Sequence, residues 1–189
     1  MSDQRPQRTP YDSPWTVKDR LKRLLWELCW ALLCRPTPKP FNRWRLLVLK
    51  AFGARVEGLP FVHQRVRVEI PGNLILKDRA CLGDRAVAYS LGVVEVGEGA
   101  TVAQEAYLCA GSHDFEDSAM PLRTKPVKVE AGAFVGARAF VLPGVTVGRG
   151  AVVGACAVVT RNVEEGEVVA GNPARPISRK AKTEDREAG

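Results

Sequence analysis

The chain has 189 residues, 46% of them hydrophobic and 26% charged, which is enough for one folded domain with an added element and too apolar for a disordered protein. Its net charge of +7 points to an anionic partner, and nucleic acid, a membrane surface and a phosphorylated cofactor or substrate all meet that description. Cys29, Cys34, Cys81, Cys109 and Cys156 form no CxxC pair and have no close histidines, so a metal site or disulfide framework gives way to reduced, buried thiols.

Residues 1–14 are polar and proline-rich and do not read as a signal peptide; they are expected to be a flexible N-terminus. From Trp15 to Cys34, Val17, Leu21, Leu24, Leu25, Leu28 and Leu32 fall at helical spacing, with Lys18, Arg20, Lys22 and Arg23 crowding the first half. The apolar stretch Leu24–Cys34 contains Glu27 and is too short to span a bilayer. Pro36, Pro38 and Pro40 break the helix, and a second basic amphipathic helix is expected over Asn42–Phe52, stopped by Gly53. Residues 15–56 form a basic helical cap in this reading. They cover the next segment and hide its exposed strand edge, or lie on an anionic membrane through residues 15–52 with Trp15, Trp26, Trp30 and Trp44; both uses stay open.

Between Arg65 and Val163 the pattern changes. Apolar residues recur every sixth position at Val129, Val135, Val141, Val147, Val153 and Val159, with Ala133, Ala139, Val145, Ala151, Ala157 and Val163 four residues after each. A looser run gives Ile70, Leu76, Leu82 and Ala88, then Val96, Val102 and Leu108 after a slip of two. A fixed short period means a solenoid: each unit is a short strand and a turn, three units close a triangular coil, and the aliphatic residues stack inward. A β-sandwich would not hold one spacing through six units. The solenoid is expected over residues 57–170, interrupted by a loop at 112–126 that contains His113 and Asp114. A polar loop thrown out of a regular scaffold is a common seat of function. Residues 171–189 form a C-terminal segment and charged tail.

The hexapeptide run, the loop entry Gly111-Ser112-His113-Asp114 and the ending Gly171-Asn172-Pro173-Ala174-Arg175-Pro176 together resemble the hexapeptide-repeat acyltransferases. The match is to the branch of maltose, galactoside and nodulation acetyltransferases. The basic helices, Phe52-Gly53-Ala54 and Ile70-Pro71-Gly72-Asn73-Leu74 are similar to those of colanic acid biosynthesis acetyltransferases. The resemblance implies a mainly β chain: a left-handed parallel β-helix with N-terminal helices and a projecting loop. The hand comes from the resemblance alone and runs against the general preference for right-handed crossovers. It also implies a homotrimer, acetyl-CoA as co-substrate without a metal, and a sugar or lipid-linked glycan as acceptor.

By the same resemblance His113 is the general base and the backbone N–H of Ala137 is the oxyanion donor; Asp114, beside His113, is placed to orient the ring or to contact substrate or solvent. Phe134, Ala137, Ala155, Ala157 and Thr160 are implied to line the pantetheine groove, and Arg175, Arg179 and Lys180 to meet the nucleotide phosphates. The expected location is cytoplasmic, at the inner face of a membrane if the basic helices contact one. A γ-class carbonic anhydrase-like enzyme needs three histidines and the chain has two, His63 and His113. A non-catalytic scaffold of the same repeats is the competing reading, and no nucleic-acid motif accompanies the basic charge.

Overall fold

The computed structural model describes residues 7, 9 and 12–179. Helix α1 (Val17–Cys29) starts at a reciprocal cap: the Thr16 hydroxyl accepts from the Asp19 N–H, and the Asp19 carboxylate accepts from the Thr16 N–H. Two donors that no helical carbonyl can reach are thereby satisfied. A π-helical turn, Trp30–Cys34, extends it to the prolines. Helix α2 (Asn42–Ala51) ends one residue before the expected Phe52, and the chain leaves it through Gly53 at φ +94°, a conformation that suits glycine.

Most of the apolar stripe that gives α1 its helical spacing is not what packs on the protein. Trp26, Trp30 and Cys34, four residues apart, are buried instead, while Leu21, Leu25 and Leu32 are exposed. The wide indole rings remove more apolar surface per residue, so packing selects the tryptophan stripe. The Trp26 indole N–H also donates to the Val68 carbonyl at 2.7 Å, and its ring lies against Trp30 and Phe52.

From Arg55 onward the chain winds into a parallel β-solenoid with three faces. The first face stacks Arg55–Val56, Leu74–Leu76, Val94–Val96, Val127–Val129 and Thr146–Val147. The second stacks Phe61–Val62, Cys81–Leu82, Thr101–Val102, Phe134–Val135, Val152–Val153 and Glu167–Ala170, and Arg175–Arg179 closes it by antiparallel pairing. The third stacks Arg67–Val68, Val87–Tyr89, Tyr107–Cys109, Phe140–Val141 and Val158–Val159. The register is that of the valine ladder: Val135 pairs with Val102 and Val153, Val141 with Leu108 and Val159, Val129 with Val96 and Val147. These side chains are fully enclosed, and each contributes on the order of 1.5–3 kcal/mol by leaving water. Ala133, Ala139, Ala151 and Ala157 fill the corners beside them.

Two sequence expectations change. The lower end of the ladder passes through Val62 and Val68, not Ile70, which precedes a short 3-10 turn at Pro71–Asn73. The interruption at 112–126 is also not alone. Eight positions separate Val68 from Leu76 and Ala88 from Val96, and twenty-one separate Leu108 from Val129. All three insertions fall at the corner between the third and first faces, so the long loop stands on two smaller bulges. Of the cysteines, only Cys34 and Cys109 are buried; Cys156 is exposed on a turn at φ +58°.

The open lower edge of the solenoid is closed by helix side chains. Buried Arg45 donates from Nε to the Val62 carbonyl at 2.8 Å, and from its other nitrogens to Thr37, Pro38 and Lys39 oxygens. Asn42 bonds the Pro60 carbonyl and the Val62 N–H. An unpaired strand edge is thus satisfied without a further strand.

Candidate active site

The long interruption is a hairpin in which Gly111–His113 pairs antiparallel with Leu122–Thr124, His113 opposite Leu122. Its footing is the pair of bulges below. The Ser90 hydroxyl donates to the Ile70 carbonyl and accepts the Ile70 N–H, both at 2.9 Å, and the Asn73 amide donates to the Ser90 and Leu91 carbonyls. A Cβ on Gly92 would stand 2.9 Å from the Ala110 carbonyl oxygen, so the root of the hairpin rests directly on glycine backbone.

His113 is exposed, and its Nδ1 lies 2.6 Å from the carbonyl oxygen of Met120. A carbonyl only accepts, so this contact puts the hydrogen on Nδ1 and leaves the lone pair on Nε2. Met120 presents that carbonyl from the left-handed region at φ +44°, held by its own N–H to Asp117 at 2.8 Å and by the Ala119 N–H on the Asp117 carboxylate at 2.8 Å.

Asp114, expected to orient the ring, is engaged elsewhere. Arg123 reaches its Oδ2 through Nε at 3.2 Å and Nη2 at 2.9 Å, and the Glu116 N–H reaches Oδ1 at 3.2 Å. The Arg123 hydrogen bond, then that N–H, holds its carboxyl below the usual carboxylate range. A carboxylate paired across the hairpin ties its two strands together; the ring is oriented by a main-chain oxygen. No sequence signal marks Met120, because every residue carries a carbonyl and this one acts through its backbone conformation. Arg123 is likewise unmarked in the sequence, standing nine positions beyond its partner.

The other candidate residues lie elsewhere on the prism. Ala137 and Ala155 sit one coil apart at the corner between the second and third faces, and among the described residues neither N–H has a hydrogen-bond acceptor. The coil geometry causes this. At each such turn the preceding N–H bonds the coil above and the following N–H the coil below, as Gly136 does with Val153 and Arg138 with Gln104, leaving the middle one pointing out. Phe134 is exposed on the adjoining second face, and Arg175 stands at the top of that face with its side chain on the Ala174 carbonyl. Ala157 does not reach this flank: it is wholly buried, its N–H bonded to Gly154 and its carbonyl to Phe140. Thr160 is exposed after the last third-face strand, at the corner from which the hairpin emerges two coils below. Arg179 ends the final strand, and Lys180 lies outside the described residues.

Within one chain, therefore, His113 and Ala137 occupy different corners with the whole third face between them. Two clefts, of about 410 and 310 Å³, open beside α1 and between the first and second faces, and neither is lined by His113 or Ala137. The second histidine, His63, is buried with Nδ1 3.0 Å from Asp84, and burial pushes its pKa below the usual value.

The model for the bacterial transferase hexapeptide (six repeats) matches residues 126–161. The "Putative colanic acid biosynthesis acetyltransferase WcaF" of Escherichia coli (strain K12) is 33% identical over 164 residues, covering 87% of this chain and 90% of its own. Among solved structures, a maltose O-acetyltransferase from Clostridium difficile 630 is similar with a TM-score of 0.73 at 21% identity, covering 89% of this chain and 92% of that one. A hexapeptide-repeat containing acetyltransferase from Vibrio cholerae O1 biovar eltor, complexed with acetyl coenzyme A, gives a TM-score of 0.79 at 16% identity, covering 88% and 91%. The two structures share the fold. The relative from Escherichia coli adds identity along nearly the full length, and with it the chain belongs to the hexapeptide-repeat acetyltransferases, here built on a parallel β-solenoid.

Proposed function

We propose that the chain transfers an acetyl group from acetyl-CoA to a sugar hydroxyl, in the biosynthesis of an exopolysaccharide or another glycan, with His113 as general base. The observation that carries this reading is the 2.6 Å contact between His113 Nδ1 and the Met120 carbonyl, which leaves Nε2 of an exposed ring free to take a proton. A sugar hydroxyl is almost entirely un-ionised near neutral pH, whereas a thioester is already activated. The chain must mainly remove one proton during attack and stabilise one developing charge. As the hydroxyl oxygen bonds the thioester carbonyl carbon, its proton passes to Nε2. The carbonyl oxygen becomes an oxyanion and accepts from the Ala137 N–H. When the C–S bond breaks, the leaving thiolate recovers the proton from Nε2, and the imidazole is returned neutral.

The co-substrate in this reading runs along the corner of Ala137 and Ala155, whose unbonded N–H groups suit an amide-rich pantetheine arm, with Phe134 beside it. Arg175, Arg179 and Lys180 are the residues for the phosphates, and Ala157 serves by packing behind the line. Thr160 is on the side of His113. The separation of His113 from Ala137 favours a homotrimer in which the hairpin of one copy faces the second–third corner of the next. A lipid-linked glycan suits the acceptor, and would keep the enzyme at the cytoplasmic side of a membrane, touching it through residues 15–52. Thioester release with acetyl-CoA and a panel of nucleotide- and lipid-linked sugars tests the reading. Turnover is expected for the wild type and not for His113→Ala; near-normal turnover in the variant refutes the assignment of the base.

A further inference from the structure

A helix that merely caps a solenoid turns its apolar side inward and its charges outward. Helix α1 and the turn that continues it carry a second apolar stripe on the side away from the solenoid: Leu21 is 65% exposed, Leu25 53% and Leu32 71%. Helix α2 extends the surface with Leu47, 61% exposed, and Trp44, whose indole N–H donates to the Leu33 carbonyl at 2.9 Å and joins the two helices. Exposed large apolar side chains gathered on one helix face in this way mark an interaction site.

The charge around it identifies the occupant. Residues 15–52 hold nine Lys and Arg against two acidic residues, a surplus of seven that equals the net charge of the entire chain. Arg45 is buried and Arg23 is paired with Glu69, but Lys18, Arg20 and Lys22 are exposed on the first turns of α1 beside the leucines. A leucine stripe flanked by cations, with an exposed tryptophan, suits the interface of an anionic bilayer: the apolar side chains enter the acyl boundary and the cations meet the headgroups. Among the described residues no helix is long and apolar enough to cross a membrane, so the surface would lie on the bilayer.

We propose that the outward face of α1, continued by Leu32, Trp44 and Leu47, is a docking surface for anionic lipid. The proposal extends the reading of a lipid-linked acceptor, and its test is kept separate from transfer. The full chain is sedimented with vesicles of phosphatidylcholine alone and of an equimolar phosphatidylcholine–phosphatidylglycerol mixture. Binding is expected to the mixture only and to weaken with salt. A triple variant, Leu21→Gln, Leu25→Gln and Leu32→Gln, should bind about tenfold more weakly, as should Lys18→Glu with Lys22→Glu. Both should retain transfer to a water-soluble acceptor. Absence of wild-type binding, or unaltered binding by the triple variant, overturns the proposal while leaving acetyl transfer untouched. A change in oligomeric mass of the triple variant in sedimentation velocity also overturns it, by assigning the stripe to a second copy. Loss of transfer in every form, with vesicle binding intact, counts against the acetyl-transfer reading alone.

Discussion

His113 is held by main chain, not by a side chain. The Met120 carbonyl fixes the tautomer and leaves Nε2 as the proposed base, so removal of the ring should lower kcat by about 10²–10⁴-fold while acetyl-CoA binding, measured by calorimetry, stays unchanged. The proposed oxyanion donor can be removed with little disturbance, because the chain supplies its own control. Pro143, followed by Gly144 at φ +85°, holds the same place in its hexapeptide as Ala137, followed by Arg138 at φ +58°, and the Ala137 N–H makes no bond that proline would break. Ala137→Pro should therefore fold with stability within about 1 kcal/mol of wild type, by thermal melting. Its kcat should fall by about 10²–10³-fold. Wild-type turnover in this variant would remove Ala137 from the mechanism. Of these features, the histidine was legible in the sequence through its place in the interrupted repeat, and the alanine only through resemblance. The Met120 carbonyl was not legible, since its role comes from a left-handed backbone at a residue with no special preference for it. Asp114 stands beside His113 in sequence, but neighbouring residues along a strand direction point to opposite faces, and its carboxylate is turned toward Arg123 and away from the ring.

At the scale of elements, the hairpin is as well placed as its footing allows. Gly92→Ala would push a methyl group against the Ala110 carbonyl, which is backbone and cannot step aside; a loss of roughly 1–3 kcal/mol is expected, seen as a lower melting temperature and reduced turnover. The Asp114–Arg123 pair predicts the pH response of the hairpin. Because the Arg123 hydrogen bond lowers the folded pKa of Asp114, its contribution is fully present above the unfolded value near ~3.9 and is lost as pH falls through the lower folded value. Amide protection over Gly111–Thr124 should be flat from neutrality to about pH 5 and fall below about pH 4; Arg123→Ala should loosen it across the flat range and abolish the fall at low pH. The element boundaries of the helices followed their caps and prolines closely. The face of α1 did not follow its leucines, because periodicity marks an apolar stripe without saying which of two stripes the protein covers. The ladder of valines was readable over its upper coils, where no residue is inserted. It was misplaced at Ile70, where two extra residues at the third–first corner shift the count.

For the molecule as a whole, three interruptions stacked at one corner concentrate irregular backbone in one place and leave the second–third corner regular, with small residues and outward N–H groups. One corner carries the proposed base and another the proposed line for acetyl-CoA, and the third face separates them, so the account requires copies to meet. The most direct test mixes two inactive chains. His113→Ala and Ala137→Pro subunits, co-expressed and purified together, should regain about one quarter of wild-type turnover, the share of interfaces in which an intact hairpin meets an intact corner. Turnover no higher than that of the two parents measured separately would contradict a site shared between copies.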